Sequence, residues 1–358
     1  MMYNPAVRLD QPSAAAYPTD ARARDRFVLD RRRSRPAPDP WTYQDVVVED
    51  ERAPDGRIVR TATVFLTGRE CPWRCVMCDL WRNTIAGATP PGAIPAQIAA
   101  ARERLRREGE PIAQIKLYNA GSFFDPLAVP DGDYSAIAAV LAGFARVVVE
   151  SHPALVGPRL DRWLGALMSA SNRAPALEVA MGLETAHPVA LERLHKRMTL
   201  DQFVRAAHAL RRRDVGLRAF VLIAPPFVPD DEQDDWLLRS VDVALDSGAS
   251  AVSLIPTRGG NGALEALSAA GSFKPPTLDE VENAFDAAIE RAAERGRVFV
   301  DLWDLERFAV CAACLGARRD RLHAMNLRQQ VLPRVICTCG FHNDRCEADP
   351  AGPPRRAS

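Results

Sequence analysis

Residues 61–81 read Thr61-Ala-Thr-Val-Phe-Leu66-Thr-Gly68-Arg-Glu-Cys71-Pro-Trp-Arg-Cys75-Val-Met-Cys78-Asp-Leu-Trp81. The run Thr61–Leu66 is apolar and rich in β-branched and aromatic residues, and it stops at a glycine. That is the composition of a buried strand. Similar runs return at Ile112–Leu117, Arg146–Glu150, Leu177–Leu183, Leu217–Ile223 and Ala251–Ile255. The gaps hold helical patterns. Ile94, Ile98, Ala101 and Leu105 form one stripe; Phe203, Ala206, Ala207 and Leu210 form another, opened by Thr199 as N-cap. Thr277 with Glu280 is a capping box that starts a helix running towards Gly296. Six strand–helix units predict an α/β chain with a parallel sheet, because parallel strands need long crossovers. Without a clear seventh and eighth unit, the expectation is a partial (β/α)6 TIM-type barrel, with a doubly wound sheet as the alternative. Either fold places chemistry at the C-terminal ends of the strands.

The chain has 358 residues, 47% of them hydrophobic, which is ample for a buried core and excludes wholesale disorder. Residues 1–40 are rich in Pro, Ala and Arg without apolar periodicity and are expected to be disordered. Residues 41–296 are expected to form the core, led in by a hairpin (Asp45–Glu49 and Ile58–Thr67) around Pro54-Asp55-Gly56. Residues 297–358 are expected to form a Cys-rich C-terminal metal-binding module. No apolar run approaches the length of a membrane span and no apolar leader opens the chain, so a cytoplasmic protein without a membrane partner is expected. There is no G-x4-G-K-[ST] loop, so an ATPase reading fails. The formal net charge of zero is unevenly spread. Residues 1–36 carry eight arginines against four aspartates, and residues 311–358 eight arginines against four acids. Two weakly basic ends permit nucleic-acid contact without demanding it. Only three lysines occur: Lys116, Lys196 and Lys274.

The eight cysteines fall in two groups. Clustered cysteines in a chain of this size and expected compartment read as metal ligands before disulfides. Cys71, Cys75 and Cys78, spaced C-x3-C-x2-C, directly follow the first strand. A closed zinc site wants four ligands. Three thiolates on one loop suit a [4Fe–4S] cluster with one iron left open, able to chelate the amino and carboxylate groups of S-adenosylmethionine; three zinc ligands with a fourth from elsewhere is the competing reading. In the second group, Cys311-Ala-Ala-Cys314 and Cys337-Thr-Cys339 offer two pairs of thiolates for a tetrahedral zinc or a second cluster, and His342 or Cys346 are possible substitutes for one ligand.

The first motif resembles that of the radical S-adenosylmethionine (radical SAM) superfamily. The resemblance implies that reductive cleavage of S-adenosylmethionine at the cluster yields a 5′-deoxyadenosyl radical, with electrons from a donor such as flavodoxin or ferredoxin. It makes Cys71, Cys75 and Cys78 the catalytic ligands and puts Met77 where an aromatic residue often lies near adenine. It makes Gly121 and Ser122, in Asn119-Ala-Gly-Ser-Phe-Phe, part of the stretch whose backbone receives the methionine amino group. Glu150 and Glu184, each closing an apolar strand, are implied for the cofactor's ribose hydroxyls or amino group, and Arg197 for its carboxylate. The loop Arg258-Gly-Gly-Asn-Gly262 is either an anion cradle of backbone amides or a flexible connection.

The order of motifs resembles the radical subunit of archaeosine synthase and its relatives, and more distantly the radical domain of the elongator catalytic subunit. The stretches are Asn119-Ala-Gly-Ser-Phe-Phe-Asp-Pro126, Val149-Glu-Ser-His-Pro, Gly182-Leu-Glu-Thr, Ile223-Ala-Pro-Pro-Phe and the C-terminal pairs around Asn326-Leu-Arg-Gln329. This implies a modified nucleoside in tRNA as substrate, C–N cleavage of the lyase type, and tRNA or a tRNA-modification enzyme as partner. The rivals are a small-molecule or natural-product substrate, and, in another class, a non-catalytic Fe–S or zinc protein that binds nucleic acid or a partner.

Overall fold

The computed structural model describes residues 17–109 and 111–337. They form one sheet of eight strands in sequential order: β1 (Asp45–Arg52), β2 (Ile58–Phe65), β3 (Gln114–Tyr118), β4 (Arg146–Glu150), β5 (Ala176–Glu184), β6 (Gly216–Ile223), β7 (Ala251–Pro256) and β8 (Arg297–Val300). The helices are α1 (Ala21–Leu29), α2 (Ala93–Glu108), α3 (Tyr134–Leu141), α4 (Pro158–Ala170), α5 (Pro188–Arg193), α6 (Leu200–Arg211), α7 (Gln233–Asp246), α8 (Ala263–Ala269), α9 (Leu278–Ala292) and α10 (Ala312–Arg328). β1 and β2 form the antiparallel hairpin read from the sequence, with Asp45 opposite Phe65. From β2 onward every pairing is parallel. The sheet curls into an open half-barrel of the α/β class, which decides against the doubly wound alternative.

Each strand shows why. Alternate residues point to opposite faces, so Val64, Leu117, Val149, Val179, Val221 and Leu254 face outward into the layer that holds Ile94, Trp163, Phe203 and Phe285. These large side chains are fully buried, and each contributes roughly 1.5–3 kcal/mol. Both helix starts read from the sequence are capping boxes, Thr199 with Gln202 and Thr277 with Glu280. The inward set is polar. At the floor of the half-barrel Arg218 reaches Glu51 at 2.6 Å and Glu178 at 2.7 Å. Lys116 pairs with Glu51, and Arg297 lies 3.5 Å from Glu178. Above this floor Tyr118 meets Phe65 and Phe220 edge-on, with ring centroids 6.2 and 6.1 Å apart.

Two expectations are corrected. The six strand–helix units are followed by a seventh parallel strand, β8, paired with β7, so the boundary drawn at residue 297 moves beyond β8. Four residues after Gly296 are too short a run to register as a strand in sequence. Secondly, the expected disorder of residues 1–40 does not hold for residues 17–40. Helix α1 is capped by Asp20, and Tyr17, Phe27 and Val28 are buried against Val76, Leu194 and Leu222. The sequence hid this because much of the anchoring comes from arginines, not from an apolar stripe. Residues 1–16 lie outside the described residues.

The outer edge of β8 is covered by α10. Asn326 accepts from the Val300 N–H (2.9 Å) and donates to its carbonyl (3.0 Å). Gln329 does the same for Val298, at 2.6 and 2.7 Å. Two side-chain amides thus stand in for the neighbouring strand that the half-barrel lacks.

Candidate active site

The C-terminal ends of β2 to β7 converge where the first cysteine group lies, as the sequence argument requires. After β2 the chain enters the loop Cys71–Cys78. Its conformation is fixed from four sides. Gly121, after β3, lies against the Cys71 backbone, where a Cβ would sit 3.6–3.7 Å from it. Trp73 stacks on His152, after β4, at 3.7 Å between centroids and 10° between planes. Asn261, after β7, donates to the Val76 carbonyl at 2.6 Å and caps α8 with its oxygen. Arg32 and Arg35, after α1, reach Glu70 at 2.7 and 3.0 Å.

Burial pushes the thiols of Cys71, Cys75 and Cys78 up to about 12, so in the metal-free chain all three are protonated and metal binding must displace their protons. They do not belong to any group of three ligand atoms within 4.8 Å of one another; among the described residues only Cys311, Cys314 and Cys337 form one.

Beside it, two polar groups stand without partners. Asn119 is fully buried, and both its side-chain oxygen and nitrogen lack a hydrogen bond. Glu150 Oε2 is buried and equally unpartnered. A buried orphan of this kind costs about 1–3 kcal/mol, and two together at the end of β3 and β4 fit a polar ligand that completes them. Burial raises the Glu150 carboxyl to about 7, opposed by the Asn119 backbone N–H and by Lys196. Its ordinary value is 4.5. The folded metal-free chain therefore holds a proton that the unfolded chain has lost between these values, and stability falls as pH rises through that window. Glu150→Gln is expected to stabilise the metal-free chain at pH 8 by on the order of 3 kcal/mol, read by urea unfolding, with little effect at pH 4.

Glu184 follows a register shift in β5 and has a positive φ of 67°. Its carboxylate accepts from Lys196 Nζ at 2.5 Å. Lys196, 8% exposed, keeps its proton: burial acts against the charge, but the Glu184 carboxylate outweighs it. Both side chains lie over Gly182, where any Cβ would overlap them. His152 accepts the Ala154 N–H at Nδ1 and lies 3.1 Å from the Lys196 carbonyl through Nε2. Burial, aided by Lys196, lowers it to about 3, so it is a neutral imidazole.

The structure thus brings together Cys71, Cys75, Cys78, Gly121, Glu150 and Glu184. It places others elsewhere. Ser122 is turned inward and accepts the His152 N–H at 2.7 Å. Met77 packs with the apolar cluster around Val76 and Leu222. Arg197 points away and pairs with Asp25 at 2.5 Å. Its neighbour Lys196 carries the cation inward instead. The glycine loop's amide cradle is already filled: Gly262 N–H donates to Glu265 at 2.7 Å and Gly260 N–H to the same carboxylate. Asn119, His152, Lys196 and Asn261 were not singled out in sequence. The scarcity of lysine was the available signal, since Lys116 and Lys196 are both buried and paired with glutamates.

Away from this site, Cys311 precedes α10, Cys314 lies in its first turn and Cys337 returns beside them. The Cys311 and Cys337 sulfurs are 3.7 Å apart. Tetrahedral Zn–S bonds of ~2.3 Å place sulfurs ~3.8 Å apart, so the triad suits one tetrahedral ion. Cys339, Cys346 and His342 lie outside the described residues.

No protein-family model matches the chain. Archaeosine synthase subunit beta of Methanosarcina acetivorans is 27% identical over 248 residues, 66% of this chain and 67% of that protein. An uncharacterized protein of Methanocaldococcus jannaschii is 22% identical over 244 residues, 65% of this chain and 66% of the relative. Among solved structures, Elp3 of Methanocaldococcus infernus superposes with a TM-score of 0.50 at 14% identity, over 67% of this chain and 62% of that one. The matches thus span about two thirds of the relatives' own length. Among the described residues no helix is long and apolar enough to cross a membrane. With its three-cysteine loop at the end of the first parallel strand of a half-barrel, the chain is similar to archaeosine synthase subunit beta and shares its fold with Elp3.

Proposed function

We propose that the chain is an enzyme that binds a [4Fe–4S] cluster at Cys71, Cys75 and Cys78 and S-adenosylmethionine beside it. The observation that carries this reading is the pair of buried orphans, Glu150 Oε2 and the Asn119 amide, next to a loop of three thiols. A cluster held by Cys71, Cys75 and Cys78 would supply one-electron reduction of S-adenosylmethionine, and with it radical hydrogen abstraction from a substrate. The chain's own residues bind and orient. Glu150 and Asn119 offer acceptors and a donor to ribose hydroxyls and the amino group. Lys196 brings the positive charge that Arg197 does not, and Gly121 lets the backbone approach closely. The aromatic ledge of Phe65, Tyr118 and Phe220 lines the half-barrel below. We carry the substrate class from the resemblance: a modified nucleoside in tRNA, cleaved at a C–N bond, with a small reduced electron carrier as donor.

Anaerobic reconstitution with iron and sulfide, followed by dithionite and S-adenosylmethionine, is expected to yield 5′-deoxyadenosine by mass spectrometry. Cys75→Ala abolishes cluster and product together. An intact cluster without any product sinks the enzyme reading, and zinc alone in the anaerobically isolated chain favours the non-catalytic class. Nucleoside mass spectrometry of tRNA from wild-type and deletion strains tests the substrate class.

The C-terminal triad, on this reading, holds one zinc ion. Cys314→Ala is expected to lose about one zinc per chain and several degrees of melting temperature while the cluster's visible absorption is retained, measured by metal analysis and thermal unfolding.

A further inference from the structure

Lys196 sits on a turn whose backbone is strained on both sides. His195 and Arg197 have φ of 60° and 55°, and neither is a glycine. Such conformations are strained and persist only where the surroundings hold them. What holds these comes from α1, outside the barrel. Asp25 Oδ1 lies 2.9 Å from Nε2 of buried His195, and Asp25 Oδ2 accepts from Arg197 Nη2 at 2.5 Å. The same segment grips the preceding turn. Tyr17 donates its hydroxyl to the Arg193 carbonyl at 2.7 Å, and Arg24 donates to the Glu192 carbonyl at 3.2 Å and to its carboxylate. From the inner side, the His152 Nε2–H donates to the Lys196 carbonyl. Clamped between Asp25 and His152, the turn leaves the Lys196 side chain directed at Glu184 and the cysteine loop.

We propose that α1 is a positioning clamp for the site and that Asp25 is its decisive residue. Asp25 touches neither thiol nor orphaned group; it acts through residues 195–197. A helix at the N-terminal edge thereby sets the direction of the one buried lysine beside the cysteine loop. The proposal rests on the functional reading above only for what Lys196 faces; the clamp itself is a property of the metal-free chain.

Asp25→Asn keeps the shape of the side chain and removes its charge. The test compares it with wild type and with Asp30→Asn, at an exposed position just after the same helix. Two quantities are read on the full chain: amide hydrogen exchange over residues 194–198 without metal, and equilibrium binding of S-adenosylmethionine to the anaerobically reconstituted protein. Asp25→Asn is expected to speed exchange in that turn tenfold or more with β5 unchanged, and to weaken S-adenosylmethionine binding about tenfold at equal iron content. Asp25→Glu restores part of both, and Asp30→Asn changes neither. Wild-type exchange and affinity in Asp25→Asn overturn the clamp. Faster exchange in a chain whose wild type binds no S-adenosylmethionine upholds the clamp and removes the functional reading instead. If Asp25→Asn does not fold, Arg197→Gln removes one arm at a half-exposed position. It is expected to raise exchange in the same turn, and no rise overturns the proposal.

Discussion

Lys196→Met is expected to cost the metal-free chain about 3–5 kcal/mol in urea unfolding at pH 8. The substitution keeps the length of the side chain but leaves Glu184, 10% exposed, as an uncompensated carboxylate in the same enclosed space as Cys75. Burying an ion without its partner is far costlier than burying the pair. The sign of the pH dependence follows. An unpaired buried carboxyl has a raised folded value, so it is tolerated in acid as the neutral form and penalised as pH climbs. The loss should therefore shrink at pH 5. Removing both charges, with Lys196→Met and Glu184→Gln together, should return most of the stability, and that cycle separates the ion pair from packing. On the proposed function, Lys196→Met and the double variant should both lose S-adenosylmethionine binding, although only the first loses stability.

Arg218→Met is the second large effect, again about 3–5 kcal/mol. Arg218 is 2% exposed and is the hinge of the charge network at the floor, bonded to Glu51 through one nitrogen and to Glu178 through another. Burial alone would raise both carboxyls. Arg218 outweighs it, helped by Lys116 at Glu51 and by Arg297 at Glu178, and both are held below the ordinary range. Their contribution is present at neutral pH and is lost as pH falls through their lowered values. Arg218→Lys should recover only part, because a single ammonium cannot replace a planar fork spanning two carboxylates. Urea midpoints for the three proteins at pH 7 check the order.

The architecture was legible where local chemistry is repetitive. Apolar runs, capping boxes at Thr199 and Thr277, and the cysteine spacing all depend on neighbours in sequence. The half-barrel followed from them, as did the location of the loop. What escaped depends on partners far along the chain. Helix α1 and the residues just after it are fastened by Arg24, Asp25, Arg32 and Arg35 to charged partners 35 to 172 positions away, and arginine-rich composition reads as mobile when those partners are unseen. The choice between Lys196 and Arg197 for the inward cation turns on one backbone conformation that adjacent identities do not encode. The Lys196 ammonium and the Glu184 carboxylate together fill the space over Gly182 that any side chain there would take.

The two amides of Asn326 and Gln329 have a consequence for how the protein behaves in a crowded solution. A sheet edge with free N–H and C=O groups is a template on which another chain can polymerise. Here the protection is carried by two side chains in the last turn of a single helix. Replacing both, with Asn326→Ala and Gln329→Ala, would uncover β8 while the rest of the barrel is still folded. Such damage should show first as turbidity and oligomers, before any loss of helical signal.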